Sequence, residues 1–530
     1  MVFDGTSMEP RATIAVHPAR ALRERPRLLG VLEDAFPVSF VPLDGENPAP
    51  APTICFAGDT EPPVAALARG GEPLLVVGER DAAVDPQPVK LGGADAVDPR
   101  LREVELIDRR GAHPFAMPSG PATTLATSPT GPTWIRSEGE ATVDLLAGAL
   151  PELGAEQILR DLLPERAATL VALVQFLRAA SDEVAFQPPP ARAAFLFDDP
   201  NLRWRTYGFI DYGELLRHAQ RHDYHASMAM VPLDNRFAHP ATIDLFRRNR
   251  RRLSLVFHGN DHSSGELARP RDADAALALA AQALRRAGRF ESRYNLGIDR
   301  VMTPPHGMCS ENVTAALAAV GFDGLCAIHP LPWAERPPVD RPLAGWDPAE
   351  FAAGSAVIPR LHLDSSDADI ALRAFLDQPL IFYGHHEDLA DGLDPLAAIA
   401  ERVARMGATE WCPIGEIARS NYSWRRDLDL FRVRPYSNRV SLSIPAGCTS
   451  LVVMPPRGVD PAVIGWSIGD GETTPIGATL QVTPGDALEV RIRRADERPP
   501  TAVKAPPARP WAIFRKIAME ARDRTLPMRS

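Results

Sequence analysis

Short apolar runs recur along the chain, and the residues between them change character three times. From Arg11 to about Ile107 the runs ATIAVHP, VSFVPLD, TICFAGD, PLLVVGE and REVELID have strand length. The segments ARALRERPRLLGVLEDA and EPPVAALARG between them suit helices or loops. Strands alternating with helices predict a small open α/β sheet of Rossmann-like type over residues 1–120. The stretch MPSGPATTLATSPTGPTW is rich in Gly, Pro and Thr and reads as a linker. ATVDLLAGALPEL and ERAATLVALVQFLRAASDE follow as helical segments, so residues 121–190 are assigned to a linker and helices.

QPPPAR then punctuates the chain, and a new strand series begins: AAFLF, HASMAMVPL, LSLVFH, VMTPP, GLCAI, VIPRLHL and PLIFYGHH. Helical stretches such as DADAALALAAQALRRAGRF and ENVTAALAAVG separate several of them, the second with Ser310 as N-cap and Gly321 as its stop. This alternation over residues 191–425 implies a parallel barrel or wound sheet. The runs RVSLSIPA, SLVVMPP, ATLQVTP and ALEVRIRR, parted by Gly/Pro turns, predict a small β-sandwich over 428–497. Residues 498–530 read as a Pro-rich linker and a basic helix, WAIFRKIAMEARDR, with Trp511, Phe514 and Ile517 near one face.

Composition narrows the class. At 530 residues the chain is too long for one core, and a typical domain of ~150 residues suggests about three. Hydrophobic residues at 45% and charged residues at 24% are an ordinary globular balance, and a net charge of −10 argues against nucleic acid as a partner. The 5 cysteines are scattered without a C-x-x-C pair, which argues against a disulfide framework or a thiolate zinc site. No secretory signal or membrane-spanning stretch is visible, so the expectation is a cytoplasmic protein, with the basic helix as a potential peripheral membrane contact. The N-terminal region lacks G-x-G-x-x-G and P-loop patterns and is given no nucleotide; H-E-x-x-H and G-x-S-x-G are also absent.

Three features of the middle segment follow strand ends, where parallel α/β folds build their sites. Asp198 and Asp199 follow AAFLF, and Pro200 ends the strand. The same pair also suits a solvated turn. His258 and His262 follow LSLVF at a spacing of four, so both imidazoles can reach one ion and a carboxylate can complete the set; they also suit polar loop positions. His385 and His386 follow PLIFYG, where one can serve as an acid while the other faces solvent.

FDDP, HGNDH, TPPHG and YGHH, in that order, resemble the motif series of the polysaccharide deacetylase (NodB-homology) superfamily over roughly Ala193 to Tyr422. The resemblance implies a distorted (β/α) deacetylase-type barrel that removes acetyl groups from N-acetylated poly- or oligosaccharides by a metal-activated water. It assigns Asp198 as the base, Asp199, His258 and His262 as ligands of a divalent metal, Zn by preference, and His385, or His386 in a shifted register, as the acid. One position departs from the pattern. Where the family carries an Arg that pairs with the base, this chain has Thr303, and His306 stands where an aromatic residue is usual. Arg360 or His306 is then expected to replace the missing charge. Trp204, Tyr207 and Phe209 suit a sugar platform or core, and His306, Arg360 and His386 complete the expected substrate contacts. Two alternatives remain at this stage: a non-catalytic carbohydrate-binding or exopolysaccharide assembly protein on a degenerate barrel, favoured by Thr303, and a glycoside hydrolase pairing Asp198 with another acid.

Overall fold

The computed structural model describes residues 10–506 apart from 46–47, 58–62, 79–84, 110–120, 235–236, 264, 271 and 334–342, together with a few positions beyond 510. The chain forms two compact units. The first comprises Met1–Phe186 with Pro337–Gly345 and Asp367–Phe375; the second comprises Gln187–Arg336, Trp346–Ser366 and Leu376–Ser530.

The first unit holds a nine-stranded sheet of β1 (Ala12–His17), β2 (Val38–Pro42), β3 (Thr53–Ala57), β4 (Leu74–Gly78), β5 (Gln87–Leu91), β6 (Glu105–Asp108), β7 (Ala122–Ser128), β8 (Gly131–Glu138) and β9 (Thr142–Ala149), in the order β2-β1-β3-β4-β9-β8-β7-β5-β6. Its first half is parallel, as the alternation of strands with the helices Pro26–Ala35 and Val64–Ala68 requires. Its second half is antiparallel. The linker and first helix expected over residues 121–150 are therefore corrected to three strands. Ser128-Pro-Thr-Gly131 is the tight turn of a hairpin rather than spacer, and Asp144 within ATVDLLAGA is held across the sheet by Trp134 Nε1 (3.0 Å) and Arg136 Nε (2.9 Å). The second expected helix is present as Leu163–Ser181. Asp108 at the end of β6 accepts hydrogen bonds from the Thr169 amide and hydroxyl of that helix and from the Arg109 amide. Burial nevertheless pushes its carboxyl up to about 6.

The second unit is built on one ten-stranded sheet of β10 (Arg192–Asp198), β13 (Ala226–Met230), β14 (Leu253–His258), β15 (Val301–Thr303), β16 (Gly324–Ala327), β17 (Glu350–Ala352), β18 (Ser355–Pro359), β19 (Leu361–His362), β20 (Leu380–Gly384) and β21 (Glu410–Trp411); a short hairpin of β11 (Thr206–Tyr207) and β12 (Ile210–Asp211) lies apart from it. The order is β17-β18-β16-β15-β14-β13-β10-β20-β19 with β21 beside β10, and every pairing except β17–β18 is parallel. The sheet curls as a half-barrel but does not close, because the described strands β17 and β19 remain its edges. The Ser310 hydroxyl caps the helix Glu311–Val320 by accepting from the Val313 amide, and Gly321 ends it at φ 98°.

Two four-stranded sheets follow. One contains β22 (Tyr422–Asp427), β23 (Leu430–Pro435), β25 (Ser450–Val453) and β28 (Thr479–Gln481). The other contains β24 (Arg439–Ser443), β26 (Ile464–Ile468), β27 (Thr474–Pro475) and β29 (Ala487–Arg494). They share a core of Phe431, Val433, Val440, Leu442, Leu451, Trp466 and Val490. Arg439 grips Asp323, just before β16, with two hydrogen bonds of 2.7 and 3.0 Å, and the Asn438 amide donates to the Asp323 carbonyl (2.9 Å). The basic helix read from the sequence lies largely outside the described residues; Trp511, Phe514 and Ile517 are described and are 68%, 65% and 58% exposed. No helix among the described residues is long and apolar enough to cross a membrane.

The Asp108 anchor generates a test. A Cβ on Gly148 would lie 1.8 Å from Thr169 Oγ1 and 3.3 Å from Asp108 Oδ1. Gly148→Ala is expected to destabilise the first unit by about 1–3 kcal/mol through overpacking, read as a lower urea midpoint.

Candidate metal centre

Side chains alternate across a strand, so residues two apart share a face. Ala194 and Leu196 of β10, Val256 of β14, Val301 of β15, Ile358 of β18 and Ile381 of β20 belong to one buried apolar cluster. Continuing each strand by two-residue steps on that face gives Asp198, His258, Thr303, Arg360, and, through Tyr383, His385. The polar site is thus the upper layer of the half-barrel core, and its members come from five strands.

Asp198 is 3% exposed. Arg360, 2% exposed, donates from Nη1 to both of its carboxylate oxygens, at 3.0 and 3.3 Å. The guanidinium also lies over the Tyr383 ring, 4.1 Å from its centroid. Burial drives the Asp198 carboxyl upward, but the charges around it, Arg360 foremost, outweigh burial and hold it below the usual carboxylate range. Burial pushes His258 down to about 4, so that imidazole is neutral at neutral pH and Arg360 is the cation that keeps Asp198 ionised. The charge absent at Thr303 is therefore supplied from β18.

Thr303 has a different task. Its hydroxyl donates to the Phe257 carbonyl (2.8 Å) and stands 2.9 Å from His258 Nδ1. With its proton engaged, the hydroxyl accepts from Nδ1–H, which leaves the lone pair on His258 Nε2. That nitrogen faces Asp199 Oδ1 at 3.7 Å, and His262 Nε2 faces the same oxygen at 3.3 Å. The three ligand atoms lie within 4.8 Å of one another. Donors on an ion with bonds near ~2.1 Å stand roughly 3.4 Å apart. One carboxylate oxygen and two imidazole nitrogens, that of His258 neutral, therefore fit a divalent cation in chemistry and in spacing.

The backbone around this set is unusual. Asp199 (φ 62°), His262 (φ 52°) and His306 (φ 59°) all adopt the left-handed conformation that non-glycine residues rarely take. Such strain persists only where surrounding contacts over-determine it, and it concentrates at functional sites. At Asp199 it turns the chain off β10, so that consecutive carboxylates reach one site instead of opposite faces. His306 is exposed and meets the His262 ring edge-on at 5.1 Å.

The remaining sequence-derived residues divide. His385 is half-buried and contributes to the field on Asp198, and its amide donates to Asp388 Oδ2 (2.7 Å). His386, one residue on, is fully buried against Tyr207 (4.7 Å) and Phe209 (5.7 Å). Tyr207 is 2% exposed and its hydroxyl donates to the Asp198 carbonyl (2.8 Å). Packing buries both Tyr207 and His386, which were expected to meet substrate; Tyr207 braces the end of β10, and His386 packs on Tyr207. Trp204 is 42% exposed. Sequence reasoning missed the roles of Thr303 and Tyr383, which extending the alternation of their strands could have found.

The buried Asp198–Arg360 pair sets an expectation. Arg360→Met leaves an uncompensated carboxylate in the core and should destabilise the second unit by about 3–5 kcal/mol. Adding Asp198→Asn should restore much of that loss, and additive effects in a double-mutant cycle by urea denaturation would contradict the pairing.

No family model matches the sequence, and no curated protein matches it. Solved structures are similar over part of its length. A polysaccharide deacetylase from Bacillus cereus aligns at 14% identity over 42% of this chain and 91% of its own, with a TM-score of 0.26. A family 4 carbohydrate esterase from Streptomyces lividans, in complex with acetate, aligns at 13% identity over 42% and 88%, with a TM-score of 0.25. A deacetylase domain from Bordetella bronchiseptica aligns at 15% identity over 44% and 89%, with a TM-score of 0.23. Each of these likenesses covers less than half of this chain.

Proposed function

We propose that the chain is a metal-dependent hydrolase of C–N bonds that deacetylates an N-acetylated poly- or oligosaccharide on its (β/α) half-barrel. The observation that carries this reading is the convergence of Asp199, His258 and His262 beside an Arg360-held, ionised Asp198. Donors of this type suit Zn²⁺. A divalent ion held there would supply Lewis acidity, polarising the acetyl carbonyl and lowering the pKa of water.

The chain's own residues do the rest. Asp198, kept ionised by Arg360, accepts the proton of the attacking water at a carboxylate oxygen. The water oxygen bonds to the acetyl carbon, the C–N bond breaks, and His385 delivers a proton to the departing nitrogen, so that acetate and a free amine result. His306, exposed and edge-on to the His262 ring, and the exposed Trp204 are the side chains assigned to a sugar ring. Thr303, which on its own favoured a degenerate, non-catalytic barrel, loses that force once Arg360 stands in for the missing cation.

Metal analysis of purified protein is expected to give one divalent ion per chain, lost in His258→Ala and in His262→Ala. An Asp198→Asn variant should retain the ion and lose about 10²–10⁴-fold of acetate release from N-acetylated oligosaccharides. His385→Ala should do the same. Wild-type activity in Asp198→Asn, or no acetate released by metal-loaded wild type from a broad panel, would defeat the catalytic reading.

A further inference from the structure

Glu266 plays no part in the chemistry above, yet it is 2% exposed and lies behind the two-histidine loop. Its Oε1 accepts from three successive amides, those of Asn260 (2.6 Å), Asp261 (2.9 Å) and His262 (2.7 Å), and Oε2 accepts from Asp261 again (3.0 Å). Three successive amides are thus turned onto one carboxyl oxygen, as in a backbone nest. The preceding residue makes room for it. A Cβ on Gly259 would lie 2.2 Å from Glu266 Oε1 and 2.8 Å from Pro305 Cγ, at a φ of +65°. From the outer side Arg286, on the helix Ala273–Tyr294, donates to the Asn260 carbonyl (2.9 Å) and to its side-chain oxygen (2.7 Å), while Asn260 Nδ2 donates to Gln282 (2.9 Å).

His258 is placed by its strand, but His262 stands four residues on, beyond the strand and in a left-handed conformation. Nothing in a regular ladder sets its direction. Its amide is instead bound by Glu266 Oε1.

We propose that Glu266 is the positioning residue of this loop: its carboxylate folds residues 259–262 around itself, aims His262 Nε2 at Asp199, and so sets the affinity of the centre for a divalent ion. The inference rests on the metal-binding reading above. Partners that orient metal ligands typically contribute 10–100-fold in affinity. Glu266 touches neither the ligand atoms nor the reacting groups, so its effect is exerted through His262.

The test is Zn²⁺ affinity, measured by competition with a chromogenic chelator on folded full-length protein, without reference to activity. Glu266→Ala is expected to bind Zn²⁺ about 10–100-fold more weakly than wild type. Glu266→Gln keeps an oxygen that can accept from the nest and should recover most of the loss. Glu266→Met fills similar space without an acceptor and is expected to keep the alanine variant's loss, whereas a role limited to filling space would be restored by it. Should the alanine variant fail to fold, Glu266→Asp keeps a carboxyl group but withdraws it from the nest by one methylene, and is expected to show the same loss. Zn²⁺ affinity in Glu266→Ala, or in Glu266→Asp where that variant replaces it, within about threefold of wild type, well below such a partner's usual contribution, overturns the proposal and leaves the metal centre standing. Wild type that binds no Zn²⁺ overturns both.

Discussion

Asp198 stands at the end of a strand whose every residue is buried, and an ionised carboxylate there would be unstable without a cation in contact. Arg360 meets that requirement from β18, which the sheet places well away from β10 in strand order. The arrangement of the site follows from this pair. With the charge of Asp198 balanced, His258 can remain neutral with Nε2 open, Asp199 is left to face the two imidazoles, and the upper layer of the core can be polar without opening the half-barrel to water.

The strain at Asp199, His262 and His306 has the same origin. A parallel sheet delivers one side chain per strand to each layer of its inner face, so two adjacent carboxylates and two histidines four residues apart cannot all come from the strands. Extra ligands have to come from loops that reverse at once, and left-handed residues make that reversal. Two of the reversals are held by buried contacts: Tyr207 on the Asp198 carbonyl and Glu266 on the loop amides.

The parts of the fold legible from the sequence were those with a local signal. The seven apolar runs after QPPPAR are strands in the predicted order, and Ser310 and Gly321 bound their helix as their side chains and backbone freedom require. The hairpin strands of residues 122–149 were misread, because Thr, Gly and Pro serve a two-residue alternation as well as they serve a linker. Only pairing with β4 and β5 distinguishes the two.

In the site the division falls between what a strand end presents and what crosses the sheet. By itself the sequence determined that Asp198, Asp199, His258 and His385 follow apolar strands, and that the usual cation is absent at position 303. Which of Arg360 and His306 supplies that cation was decided by strand order. Which of His385 and His386 faces Asp198 was decided by the phase of β20, and Tyr207 became a brace because a neighbouring loop buried it. Sequence patterns record the period of one element, whereas charge pairing and burial depend on which elements become neighbours, and that is a property of the packed sheet.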